Sequence, residues 1–203
     1  MCLTETRRLR AAKSIRVFDV VCNSILGRSS STPSLRPGQS SYVGDISDNA
    51  ADVVYRALAL GATYEITAVL NTAVKKSAED ELDVDTAESL VLALQQKSRN
   101  FPSVLRSSDN EGSSSSRHNT IGNMHVSGAY YFSVILVTRQ FLIQHIVPQL
   151  SEGSKSSRRQ DLTEQAKIGQ LADACIEAAT FMARMCHQVM KSGHLLGNMC
   201  ILK

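Results

Sequence analysis

The sequence predicts an all-α protein, an irregular multi-helix bundle interrupted by two polar, serine-rich insertions. Three observations predict it. Apolar residues recur at i, i+3, i+4 and i+7 in successive segments, and no stretch alternates with the period of two that marks a strand. Stretches rich in Ser, Gly and Pro separate these segments, as connecting loops do. Finally, 43% hydrophobic against 20% charged residues supply a core for 203 residues, so disulfide stapling is not needed. A single unit over residues 1–203 is expected, with a loop at 28–46 and mobile insertions at about 106–121 and 150–160.

The first helix is expected over 5–26, its apolar positions Leu9, Ala12, Ile15, Val17, Phe18, Val20, Val21, Ile25 and Leu26 widening until nearly the whole circumference is apolar. Gly27 is its expected stop, because glycine takes the left-handed conformation that closes a helix. Ser47 or Asp48 can cap a second helix reaching about Val74, with Ile66, Val69, Leu70 and Ala73 on one stripe. Asp85 and Glu88 stand at capping-box spacing for a third, whose stripe is Ala87, Leu90, Val91 and Leu94 and which ends at Asn100-Phe101-Pro102. The fourth should run from about Asn123 to just before Pro148. It is apolar on all sides through Tyr130, Tyr131, Phe132, Val134, Ile135, Leu136 and Val137, and so is the expected central helix. Asp161 and Glu164 form another capping box for a fifth helix, with Ile168, Leu171, Cys175, Ala179, Met182, Cys186 and Val189 on one face and Gly193 closing it.

Composition excludes several function classes. A formal charge of +3 is too small for a polyanion-binding surface. Five cysteines without a C-x-x-C pair argue against both a disulfide framework and a zinc ribbon, and for a reducing compartment. No signal-peptide pattern opens the chain. The most membrane-like run, Val126 to Thr138, has 13 residues, short of the ~20 that span a bilayer, and reads as a buried helix of a soluble protein with no membrane partner.

Catalytic motifs are missing as well: G-x-S-x-G, G-x-G-x-x-G, H-E-x-x-H and the P-loop do not occur. The acidic run Glu79, Asp80, Glu81, Asp83 and Asp85 loosely imitates the carboxylates with which helical isoprenoid synthases hold magnesium. An acidic run before a helix is more simply a solvated stretch favoured by the helix dipole. Cys175, Cys186 and His187 lack zinc-site spacing, and the two cysteines fall on the apolar stripe. No catalytic or metal residue is assigned, and no enzyme is expected.

Three blocks together resemble a known family. Glu5-Thr6-Arg7-Arg8-Leu9-Arg10, then Asp19, then Ser24-Ile25-Leu26-Gly27-Arg28-Ser29 form the first. Met124-His125-Val126-Ser127-Gly128-Ala129-Tyr130-Tyr131, continuing through Val137-Thr138-Arg139-Gln140-Phe141-Leu142, forms the second, and Cys175-Ile176-Glu177-Ala178-Ala179 the third. In order and spacing they resemble the middle homology, or regulatory, domain of fungal binuclear-zinc-cluster transcription factors. Ser29 and Gln140 stand where that family usually has proline, and Ala11-Ala12-Lys13 where it has a Trp-rich centre.

The resemblance implies a non-catalytic regulatory domain acting in the nucleus through intramolecular contacts, protein partners of the transcription machinery, or a small-molecule effector. It singles out Arg7, Arg8, Asp19, Gly27, Arg28, His125, Tyr130, Tyr131 and Arg139, with Tyr130, Tyr131 and Arg139 as the candidate effector pocket. Zinc and DNA are expected only through an N-terminal cysteine cluster that this sequence does not contain. The alternative expectation is a standalone helical interaction module, or a truncated remnant without DNA binding, that dimerises to cover apolar surface. Independently of the family, Arg139 in an apolar helix calls for a carboxylate partner, and Asp19 is the expected one.

Overall fold

The computed structural model describes residues 3–28, 30–32, 51–105, 116–150 and 162–191. They form helix α1 (Leu3–Ile25), α2 (Ala51–Ala78), α3 (Val84–Arg99), a 3-10 turn (Ser103–Leu105), α4 (Ser116–Leu150) and α5 (Leu162–Lys191), with no strand among the described residues. The fold is all-α. Helix α4 is central, packing most extensively against α5 and α2; α1 lies on α2, and α3 closes against α2, α4 and α5. The core runs from Tyr55, Ala62, Ile66, Val69 and Ala73 of α2 through Ala87, Leu90 and Leu94 of α3 to Val126, Val134, Val137 and Phe141 of α4 and Ile168, Leu171 and Ala178 of α5.

Helix ends follow local chemistry. Helix α1 closes on Gly27, at φ 66°, with Gly27 N–H on the Ser24 carbonyl (3.3 Å) and Arg28 N–H on the Asn23 carbonyl (2.9 Å), the paired bonds of a Schellman turn. Helix α2 ends the same way without a glycine. Asp80 takes φ 60°, while Asp80 N–H reaches Ser77 O (3.4 Å) and Glu81 N–H reaches Lys76 O (2.8 Å). A Cβ is strained in that conformation, so Asp80→Gly is expected to stabilise the fold by about 0.5–1 kcal/mol, read as a higher urea midpoint at unchanged slope.

Several expected boundaries move. The cap of α3 is Asp83, whose side chain accepts from Thr86 N–H at 2.8 Å, two residues before the expected Asp85. These bonds from Thr86 hold the Asp83 carboxyl below its ordinary range. Helix α4 begins at Ser116, inside the expected insertion. It passes Pro148 because the carbonyl deprived of a donor, on Gln144, belongs to an exposed residue that solvent reaches. The expected caps Ser47, Asp48 and Asp161, the stop at Gly193 and residues 33–46 of the expected loop lie outside the described residues.

Two faces differ from their expected patterns. On α5 the buried line is Ile168, Leu171, Ala172, Cys175, Ala178 and Val189, whereas Ala179 and Cys186 are exposed; the core-facing line shifts from Ala179 to Ala178. Helix α1 inverts the hydrophobic pattern more sharply. Its buried line is Lys13, Arg16, Val20 and Ser24, while Ile15, Phe18, Ile25 and Leu26 are 59–67% exposed. Lys13 lies over the Tyr64 ring at 5.8 Å, and burial pushes its amine down, with Glu65 partly offsetting.

Two stretches, Val53–Ala78 and Ile121–Val147, are long and apolar enough to cross a membrane by length and composition. The expectation that no run is long enough stopped the count at His125 and Arg139, whereas α4 stays apolar on both sides of Arg139. Of the most apolar windows, 44% in α2 and 33% in α4 is buried against the rest of the protein.

One close approach fixes the α2–α4 crossing. A Cβ on Gly122 would stand 2.6 Å from Tyr55 Cε1, and Tyr55 cannot swing away freely because its hydroxyl donates to Asn123 Oδ1 at 2.7 Å. Gly122→Ala is expected to cost about 1–3 kcal/mol, measurable as a lowered Tm. Pairing it with Tyr55→Phe should recover part of that loss, since Phe lacks the hydroxyl that holds the ring in place.

Candidate functional site

The densest polar arrangement lies at the end of α1. Asp19 Oδ2 accepts from Ser30 Oγ (2.5 Å), Thr32 Oγ1 (2.7 Å) and Thr32 N–H (3.0 Å), and Oδ1 accepts from Ser31 Oγ (3.0 Å) and Asn23 Nδ2 (2.8 Å). The chain leaving α1 is therefore folded back onto the helix. Arg16, one turn earlier and only 7% exposed, donates from Nη1 to Ser30 Oγ, to the Thr32 carbonyl and to Thr32 Oγ1, and lies 3.9 Å from Asp19 Oδ2. The donors from Ser30, then Thr32 and Ser31, hold the Asp19 carboxyl well below the usual carboxylate range against the opposing effect of desolvation.

This arrangement corrects the expected Asp19–Arg139 pair. Asp19 turns to its own helix end, and Arg139 is exposed on α4. Arg139 nevertheless borders α1: with Ser24, Gly27 and Leu136 it lines a cavity of about 90 Å³ closed by α2. A guanidinium beside a helix C-terminus is favoured by the partial negative charge of its terminal carbonyls, so Arg139 needs no carboxylate there.

The remaining expected positions are dispersed. Arg7 and Arg8 are exposed on the first turns of α1, Arg28 is exposed after Gly27, and His125 is exposed on α4. Tyr130 and Tyr131 are half-buried, edge to face at 5.3 Å, and Tyr131 stacks on Phe181 of α5 at 5.6 Å. Burial, and next the neighbouring Tyr131, raise the Tyr130 hydroxyl above its ordinary value, with Arg99 opposing. Arg139 follows Tyr131 by more than two helical turns, ~12 Å along α4. Those three residues therefore do not form one pocket.

No family model, curated protein or solved structure matches the chain.

The acidic run has its own placement. Asp80 closes α2, Glu81 pairs with Lys76 (3.6 Å), Asp83 caps α3, and Asp85 joins Glu88 around Lys167 of α5 at 2.6 and 3.3 Å. These carboxylates are spread over helix ends and inter-helix pairs, and among the described residues no group of three or more His, Cys, Asp or Glu converges on a metal position. Cys175 is buried, Cys22 half-buried and Cys186 exposed, all as free thiols.

Sequence reasoning missed Arg16, Ser30, Ser31 and Thr32. A signal was present: Arg16 and Asp19 at i, i+3 on a helix, followed beyond Gly27 by a Ser-Ser-Thr run, the residue types whose hydroxyls and backbone amides turn back on a nearby carboxylate.

Proposed function

We propose that this chain is a non-catalytic regulatory domain of the fungal zinc-cluster transcription factor type, acting in the nucleus through intramolecular contacts, partner proteins or a small effector. Zinc and DNA contacts would come from a cysteine cluster outside this sequence, and a membrane has no part in this reading. One observation supports it most. Gly27 and Arg139, drawn from two blocks far apart in sequence, line one cavity at the end of α1, where a shift of α1 against α2 and α4 would be felt by both, and Asp19 holds the chain that leaves that helix. Regulation would be a population shift between two settings of that junction, requiring a partner with different affinity for each.

The test is a reporter in which this chain is placed between a heterologous DNA-binding module and an activation segment. The regulatory reading expects output to differ at least about fivefold from that of an unstructured linker of equal length, the low end of ordinary coupling energies. It also expects Asp19→Ala to return output to the linker level. Output indistinguishable from the linker in the intact chain overturns the reading.

A second reading, a standalone interaction module, is favoured by the outward apolar residues Ile15, Phe18, Ile25 and Leu26 of α1. Light scattering separates the two. A concentration-dependent dimer that Phe18→Asp makes monomeric supports the module, whereas a monomer at all concentrations removes the self-association form of it.

A further inference from the structure

We propose that Ser31, on the chain leaving α1, is a phosphorylation site for a protein kinase that selects arginine three residues before its target, and that the added phosphate releases this chain from Asp19. The proposal deepens the regulatory reading and rests on its junction at the end of α1.

Sequence and exposure point to this hydroxyl. Arginine followed three residues later by Ser or Thr occurs at Arg28–Ser31 and at Arg117–Thr120. The second pair lies within helix α4, where the backbone cannot extend into a kinase cleft. The first follows the close of α1 on Gly27, and both Arg28 and Ser31 are exposed. Kinases of this class distinguish substrates by charge pattern, with an arginine at that spacing as the attractive element. Ser30 and Thr32 also donate to Asp19, but they are part-buried beside Arg16, whereas Ser31 stands on the outside.

The donor is ATP. The bond between its γ-phosphorus and the β,γ-bridging oxygen breaks, a bond from Ser31 Oγ to that phosphorus forms, the hydroxyl proton passes to a base of the kinase, and ADP leaves.

The consequence follows from the contact that the hydroxyl makes. Ser31 Oγ donates to Asp19 Oδ1 at 3.0 Å. Phosphorylation removes that donor and sets a charge of about −1.5 to −2 against a carboxylate, which repels it. Arg16 is directed elsewhere: its Nη1 donates to Ser30 and Thr32 and lies 3.9 Å from Oδ2, the carboxylate oxygen that Ser31 does not use. The folded-back and released chains are therefore two settings of the junction, and the phosphate favours the released one.

The test uses the purified full chain, ATP and a calmodulin-dependent protein kinase that selects arginine at this spacing, with the product mapped by mass spectrometry. Phosphate is expected on Ser31, at a rate that falls at least about tenfold in Arg28→Ala. Phosphorylation is expected to lower Tm by at least about 3 °C. The Thr32 amide, which donates to Asp19 Oδ2, is expected to exchange its hydrogen at least about tenfold faster. In Asp19→Asn the phosphate meets no carboxylate, so the Tm shift should shrink to less than half. Should that variant fail to fold, Ser31→Glu and Ser31→Gln decide the question at an exposed position, the charged one melting lower. The proposal is overturned if Ser31 is not modified, if Arg28→Ala is modified as fast, if phosphate leaves Tm and Thr32 exchange unchanged or raises Tm, or if Ser31→Glu melts no lower than Ser31→Gln. These readouts bear on the proposal alone, and an intact chain without effect in the reporter bears on the regulatory reading alone.

Discussion

Phe141→Ala is expected to lower stability by about 3–5 kcal/mol and Tm by roughly 10 °C. Phe141 is only 2% exposed and is the largest fully buried side chain among the described residues. It sits on the central helix, beside Gln140, whose amide donates to the Leu82 carbonyl at 2.7 Å. Truncation removes packing from the core that α4 shares with α2, α3 and α5, and neighbours fixed on those helices collapse only partly into the space. Phe141→Leu should recover more than half of the loss because most of the volume returns. Urea melts of both variants measure this directly, and an alanine variant within 1 kcal/mol of the parent would mean that the α4 core is not closed there in solution.

How legible this fold was in the sequence depends on which physical signal set each element. The buried stripe Ala87, Leu90, Val91 and Leu94 of α3 and the central place of α4 follow from apolar periodicity alone, because burial is what periodicity encodes. Gly27 followed from the stereochemistry of glycine. Helix α1 did not yield to the same rule: Ile15, Phe18, Ile25 and Leu26 read as core, yet the helix buries Lys13, Arg16 and Ser24 instead. Hydrogen bonds and a carboxylate offset the desolvation of Arg16, and an apolar count carries no information about such partners. The same limit applies to the site. Asp19 was legible as an important residue, but its partners were not, because a carboxylate can be satisfied by a distant arginine or by a nearby run of hydroxyls.

That inverted helix makes the Arg16–Asp19 junction a sensitive polar contact. Arg16→Ala is expected to cost about 2–4 kcal/mol, because the Thr32 carbonyl and the Ser30 hydroxyl lose their donor and Asp19 its neighbouring cation. Arg16→Met, which keeps the buried stem, should cost less, as an apolar replacement of a buried charge often does. The pH dependence follows from Asp19. Its carboxyl titrates lower in the folded chain than in the unfolded one, where the value is about 4. Below that value the unfolded state holds more protons, so stability falls as the solution is acidified and is fully present above about pH 5. Asp83 is shifted in the same direction and contributes to the same slope, so a single variant is not enough. Asp19→Asn should lower Tm at pH 7, because its amide N–H groups face the donors of Ser30 and Thr32. It should also flatten the decline between pH 5 and pH 2, with Asp83→Asn removing most of what remains. Thermal melts of the parent, both single variants and the double variant across that range decide it. If Asp19→Asn loses stability on acidification as steeply as the parent, the carboxylate does not hold the end of α1, and the junction on which the regulatory reading rests is lost with it.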